Sequence, residues 1–282
     1  IELLVGGADR RRSASDFACH VWRSAVPHAA FLKAADGVYV TSPEFTLLQQ
    51  ATQLHQASLC QMLGRYLGTW TPRKDKKLGQ DERAPLTTFE RINDALRSAG
   101  GAPGKSNLGF AMAYTCEGAA SSPETSLQLA LCLPPELQGF WLPQPFMNYE
   151  VGLLERGRRA CGKRTIRIDL CWPDAKFGLE YQGEGHEFIM GPDYARWFAA
   201  HEAGYELWFV AKDQLASAEQ MDLVGREVAS RLGVTIDETL WPSVEDLGDL
   251  LDTLAGRRHP KLSRDALRKL RRQTRRYQRR KA

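Results

Sequence analysis

Apolar residues recur at helical spacing through FTLLQQATQLHQASLCQMLGRYL (45–67), directly after a short β-branched run, GVYVTSP (37–43). The first pattern predicts a helix and the second a strand. Between them, Ser42-Pro43-Glu44 reads as a helix start, with a capping hydroxyl, a proline in the first turn and an acid near the positive helix end. TPRKDKKLGQDERAP (71–85) is polar and charged, hence a loop. TTFERINDALRSAG (87–100) predicts an amphipathic helix stopped by Gly100-Gly101. Residues 101–121 are rich in Gly, Ala and Ser and read as a boundary between two regions.

Beyond that boundary a second helix start, Ser122-Pro123-Glu124, leads into TSLQLALCL, where Leu127, Ala130 and Leu131 share one face. RTIRIDLCW (164–172) then alternates, with Ile166, Ile168 and Leu170 expected on one side and Arg167 and Asp169 on the other. After the turn Pro173-Asp174-Ala175-Lys176, FGLEYQG (177–183) sets Phe177, Leu179 and Tyr181 opposite Glu180 and Gln182. This predicts a β-hairpin with an apolar face and an acidic face. A helix (191–204), a buried strand YELWFVAK (205–212) and a further helix (213–233) follow. The expected fold class is α/β, a mixed sheet flanked by helices. An N-terminal mixed α/β region (1–112), a central domain (113–240) and a helical basic extension (241–282) divide the chain.

Composition is ordinary for a globular protein, at 43% hydrophobic and 26% charged. No apolar stretch approaches the roughly 18 residues that suggest a membrane span. The chain opens IELLVGGADRRRS, without an initiator Met and without a basic–apolar–small leader, so export is not expected. Its six cysteines include no C-x-x-C pair and suit buried thiols in a reducing cytoplasm, the expected location. Charge is uneven. Residues 257–281 hold 13 Lys/Arg against one acid, Asp265, leaving 25 basic and 33 acidic residues elsewhere, a tail of +12 on a body of −8. Such asymmetry suggests a polyanionic partner held by a basic helix through Arg268, Arg271, Arg272, Arg275 and Arg276, or else a solvated Arg-rich end.

Metal-assisted phosphodiester hydrolysis needs two or three carboxylates converging on one point. Asp169 and Glu180 lie on hairpin faces that coincide when the strands pair, and Glu124 reaches the same edge if its helix packs on the sheet. Gln182 shares Glu180's face. Gly183-Glu184-Gly185-His186 leaves the strand as a Gly-rich turn presenting an imidazole suited to general acid–base work. Acids on a solvated hairpin face explain the same pattern without any chemistry. Arg196 suits a phosphate contact or an ion pair with Asp193. Trp197, Phe198, Trp208 and Phe209 are expected in the core rather than as base-stacking platforms.

The runs SSPETSLQLALCLPPEL, RTIRIDLCWPDAKFGLEYQGEGHE and DYARWFAAHEAGYELWFV resemble the very-short-patch-repair (Vsr) endonuclease-like domain of the PD-(D/E)XK superfamily. The match rests on Ser122, Pro123 and Glu124, on Asp169 to Pro173, on Glu180, Tyr181, Gly183 and His186, and on Asp193, Arg196, Gly204 and Tyr205. It spans about 113–212 in order. Upstream, VTSPEFTLLQQA resembles AbiE-type antitoxin-like regulators, with Phe45 in place of their usual Arg and without the helix-turn-helix that commonly precedes the signature. The resemblance implies a bacterial protein with a restriction-endonuclease-like sheet. It implies a magnesium or manganese site on Asp169 and Glu180 completed by Glu124, DNA as substrate, and a toxin or other protein as a partner.

The superfamily's (D/E)-x-K motif departs here to Glu180-Tyr181-Gln182, so the lysine that assists the attacking water is missing. Lys176 or Lys163 is a candidate for a displaced charge. Two functions follow. One is a metal-dependent DNA endonuclease in which Gln182 and His186 position water or leaving group. The alternative is a catalytically impaired DNA-binding regulator, antitoxin-like, that keeps the nuclease scaffold.

Overall fold

The computed structural model describes residues 2–12, 16–73, 80–183 and 191–260. His186 and the basic tail residues Arg268, Arg271, Arg272, Arg275 and Arg276 lie outside this set.

The N-terminal third pairs its strands two by two. β1 (Glu2–Val5) runs parallel to β2 (Ala18–Val21), and β3 (Phe31–Ala35) pairs antiparallel with β4 (Val38–Thr41). The segment expected as one helix over 45–67 is two, α1 (Pro43–Gln50) and α2 (Gln56–Leu67). Asn107 explains the break. Its amide donates to the Ala51 carbonyl at 2.7 Å, taking the acceptor that a continuing helix would use. Gly104 lets that chain approach: its φ is 88° and a Cβ there would lie 2.5 Å from the Leu48 carbonyl oxygen. Part of the expected loop 71–85 is a short hairpin, β5 (Trp70–Pro72) with β6 (Gln80–Glu82).

Helix α3 (Phe89–Ser98) follows, as its amphipathic pattern predicts, and Thr88 caps it. The Gly/Ala/Ser-rich boundary contains a helix, α4 (Lys105–Tyr114), whose Leu108, Phe110 and Ala111 are buried. Small residues there serve close packing. The core does not divide near residue 112, because one cluster runs from Phe45 and Leu59 through Leu127 to Leu170, Leu179 and Leu250.

Helix α5 (Ser122–Cys132) starts one residue earlier than its sequence pattern suggests, with Ser121 accepting from the Glu124 amide at 3.2 Å. The main sheet is built from β7 (Phe146–Gly152), β8 (Thr165–Trp172), β9 (Phe177–Gln182) and β10 (Glu206–Ala211), in the order β10-β9-β8-β7. Three strands form an antiparallel meander, and β10 joins parallel to β9. Helix α6 (Glu155–Cys161) links β7 to β8, and α7 (Pro192–Glu202) links β9 to β10. The helix expected over 213–233 is split into α8 (Lys212–Ala216) and α9 (Ala218–Arg231) by a new cap, Ser217, which accepts from the Gln220 amide. Helix α10 (Val244–Leu254) closes the described chain, with Leu247, Leu250 and Leu251 in the core. The architecture is mixed α/β, and no helix among the described residues is long and apolar enough to cross a membrane.

The two faces of this sheet carry different layers. Leu170, Trp172, Phe177, Leu179 and Val210 join the large cluster with α2, α5, α9 and α10. Val151, Ile166, Ile168, Cys171 and Leu207 join a smaller cluster with Ala199 and Ala200 of α7. Ile168 and Leu170 therefore face opposite layers, contrary to the regular alternation read from the sequence. The phase changes at one rung. Met147 and Leu170 are paired, as are Tyr149 and Ile168, while Asn148 between them takes a left-handed backbone with φ 49°. Asp169 occupies the matching position on β8.

Candidate acidic site

The register of β8 and β9 pairs Leu170 with Leu179, so Asp169 and Glu180 stand one step beyond the last paired rung. There the ladder is replaced by a side chain, for the Asp169 carboxylate accepts from the Tyr181 amide at 2.8 Å. The kink turns the acid inward while keeping the Tyr181 N–H satisfied. Glu124 arrives from the other layer. One of its carboxylate oxygens accepts from the Ala120 amide and from Asn148 Nδ2, both at 2.8 Å. Asn148 Nδ2 also donates to the Gly118 carbonyl, so the left-handed residue ties β7 to the start of α5.

The electrostatics report convergence of all three acids. Burial, then the carboxylates of Glu180 and Glu124, hold the Asp169 carboxyl well above the usual range. Burial raises Glu180 to about 7, although the Arg196 guanidinium opposes the rise. Burial likewise raises Glu124, against the bonds from Ala120, Ser121 and Asn148. Glu180 is 8% exposed and Glu124 6%. Carboxyls buried together resist ionisation unless a cation joins them.

One cation is already present. Arg196 of α7 donates from Nη2 to Glu180 Oε1 at 2.6 Å and to the Arg167 carbonyl. Arg196 thus has a site carboxylate as an ion-pair partner, beyond the Asp193 pairing, three positions away on its own helix, that the sequence suggested. Its buried Nε has no hydrogen-bond partner. Lys176 does not supply a displaced charge: its ammonium sits 4.5 Å over the Tyr205 ring, at the turn end of the hairpin. Gln182 continues β9 opposite Ala211, half-buried.

Among the described residues, no set of three or more His, Cys, Asp or Glu side chains is arranged to hold a metal ion. The reason is visible in the bonding. Asp169 is turned to Tyr181, Glu180 to Arg196, and Glu124 to Asn148 and Ala120. The chemistry of the donors nevertheless fits a hard divalent cation: three carboxylates, each with raised proton affinity, and a guanidinium that pairs with Glu180 alone among them.

Sequence reasoning found the three acids and missed Asn148, whose left-handed backbone has no sequence signature beyond the tolerance of asparagine for that region. Trp197, expected in the core, is 37% exposed. Trp208 and Phe209 are partly buried against the clusters, closer to expectation. Comparison with family models, with curated proteins and with solved structures gives no match to this chain.

Proposed function

We propose that the protein is a metal-dependent DNA endonuclease of the PD-(D/E)XK kind, with a restriction-endonuclease-like sheet. The observation that carries this reading is the group Glu124, Asp169 and Glu180 at a kinked rung, where burial raises the proton affinity of all three and the Glu124 and Glu180 carboxylates add to the rise at Asp169. A surface hairpin with solvated acids would leave them near their ordinary values. Asp169 and Glu180 would hold magnesium or manganese, and Glu124 would complete or tune the site. When bound, such an ion polarises a phosphate and lowers the pKa of a water ligand.

The residues of the chain divide the remaining tasks. The Tyr181 amide orients Asp169, and Asn148 orients Glu124. Arg196 supplies positive charge beside Glu180, in a site whose motif carries Gln182 instead of lysine. Released from that carboxylate, its guanidinium is suited to a phosphate oxygen. Gln182 and His186 would position water or the leaving group, and the basic tail would hold the duplex through phosphates.

Incubating the full chain with supercoiled plasmid and Mg²⁺ or Mn²⁺, beside an Asp169→Ala control, tests this directly. Nicking by the wild type alone is the expected result. Equal nicking by both proteins, or none by either, overturns it.

The Arg196–Glu180 pair also favours a second reading, a DNA-binding regulator that keeps the scaffold without cleavage. An acid satisfied by a guanidinium is a stable resting arrangement with no metal required. That reading expects DNA retention in EDTA, steeply weakened by salt, and weakened again by deleting residues 257–282.

A further inference from the structure

Helix α7 meets the protein through small residues and meets solvent through large ones. Ala199 and Ala200 are fully buried, and α6 approaches closely at Gly157, where a Cβ would lie 3.2 Å from Ala199 Cα. Tyr194, Trp197, Phe198 and His201 recur at i, i+3, i+4 and i+7 and share another stripe. Tyr194 is 56% exposed. The rings form a ladder: Tyr194 to Trp197 at 5.8 Å, Tyr194 to Phe198 at 6.4 Å, and Trp197 on His201 at 5.4 Å with planes only 4° apart.

Cations rim this ladder. The Arg156 guanidinium lies 5.8 Å from the Phe198 ring centre. From Glu155 to Arg167 the chain carries six basic residues (Arg156, Arg158, Arg159, Lys163, Arg164, Arg167) and one acid, with all six basic side chains exposed; α7 adds Arg196 against Asp193 and Glu202, the latter paired with Arg156, for a net +4 over the two segments. Arg196, on the same helix as the rings, holds Glu180, so the face adjoins the acidic site.

We propose that the α6–α7 face binds a single-stranded nucleic-acid segment, with bases stacked on Tyr194 and Trp197 and phosphates held by the α6 cations. Stacking needs unpaired, accessible base faces, and a duplex hides them. A second copy of this chain is a poorer occupant, because two identical faces would bring two net charges of +4 together. As the substrate class of the acidic site, an unpaired or frayed strand rests on the nuclease reading. The binding itself does not.

Fluorescence anisotropy of the full chain in EDTA separates the two. A labelled thymidylate oligonucleotide of about 15 nucleotides should bind, and a duplex of the same length, which the basic tail can hold, serves as the comparison for the ring variants. Trp197→Ala and Tyr194→Ala should each weaken single-strand binding about 10-fold, and Trp197→Phe should retain most of it. Circular dichroism of each variant confirms the fold, and the Phe variant reports stacking even where the Ala variant is unstable. The proposal is overturned if the wild type does not bind the single strand, or if the Ala variants lose duplex binding as much as single-strand binding. It is equally overturned if both Trp197 variants stay within about two-fold of wild type, or if sedimentation shows a dimer that Trp197→Ala dissolves. Binding in EDTA together with a failed plasmid assay removes only the nuclease reading.

Discussion

Replacing Glu180 by Gln removes a carboxyl that burial raises from 4.5 to about 7. The unfolded chain ionises this group near its ordinary value, whereas the folded chain keeps its proton up to about 7. Folding is therefore favoured by this group below about pH 4.5, and the contribution is lost as pH rises through 7. With about 1.4 kcal/mol for each pH unit between the two values, the ionised group costs the folded state roughly 3 kcal/mol by pH 8. Solvent at the Arg196 side chain, which is 31% exposed, trims that figure. A glutamine keeps an oxygen for Arg196 and never ionises. Glu180→Gln should match the wild type at pH 4 and exceed its Tm by several degrees at pH 8, at roughly 2–4 °C per kcal/mol for a chain of this size. Thermal scans of both proteins at both pH values read this out. A Tm difference that does not change with pH, or a variant less stable at pH 8, would refute the argument that Glu180 is under-neutralised.

Three other outcomes are expected. Gly178→Ala places a Cβ within contact radius of Ile168 Cγ2 and 3.3 Å from the Leu170 carbonyl, both residues fully buried, so chemical denaturation should show a loss of about 1–3 kcal/mol; an unchanged midpoint would show that β9 can shift. Ser121→Ala removes the α5 cap beside Glu124 and should cost about 1 kcal/mol in the same assay. Millimolar Mn²⁺ should raise the wild-type Tm by mass action and leave Asp169→Asn unmoved; equal shifts in both would place the ion elsewhere.

The sequence showed much of the second half because its strands and helices carry strong local patterns. RTIRIDLCW and FGLEYQG alternate cleanly enough to predict β8 and β9 almost to the residue. β7 escaped notice, since FMNYEVG changes phase at a left-handed asparagine and so shows no regular alternation. The breaks after α1 and α8 depend on partners distant in sequence or on a single new cap, Asn107 and Ser217, and periodicity does not register these. In α7 the sequence predicts the helix and expects Trp197 and Phe198 in the core, yet Trp197 is 37% exposed while Ala199 and Ala200 are buried. Close packing against Gly157 makes the alanines the buried side. The three acids and their meeting at one edge are legible from spacing, whereas the kink at the Asn148/Asp169 rung that turns Asp169 inward is not. Arg196 was singled out on the helix, yet its carboxylate partner is 16 residues away on a strand.

The most direct test of a cation-binding carboxylate site is a crystal structure of the full chain grown with Mn²⁺, read by anomalous scattering. A peak is expected between Asp169 and Glu180, with the Arg196 guanidinium withdrawn from Glu180. Arg196 still on that carboxylate at saturating Mn²⁺, with no anomalous density beside Asp169, would contradict it.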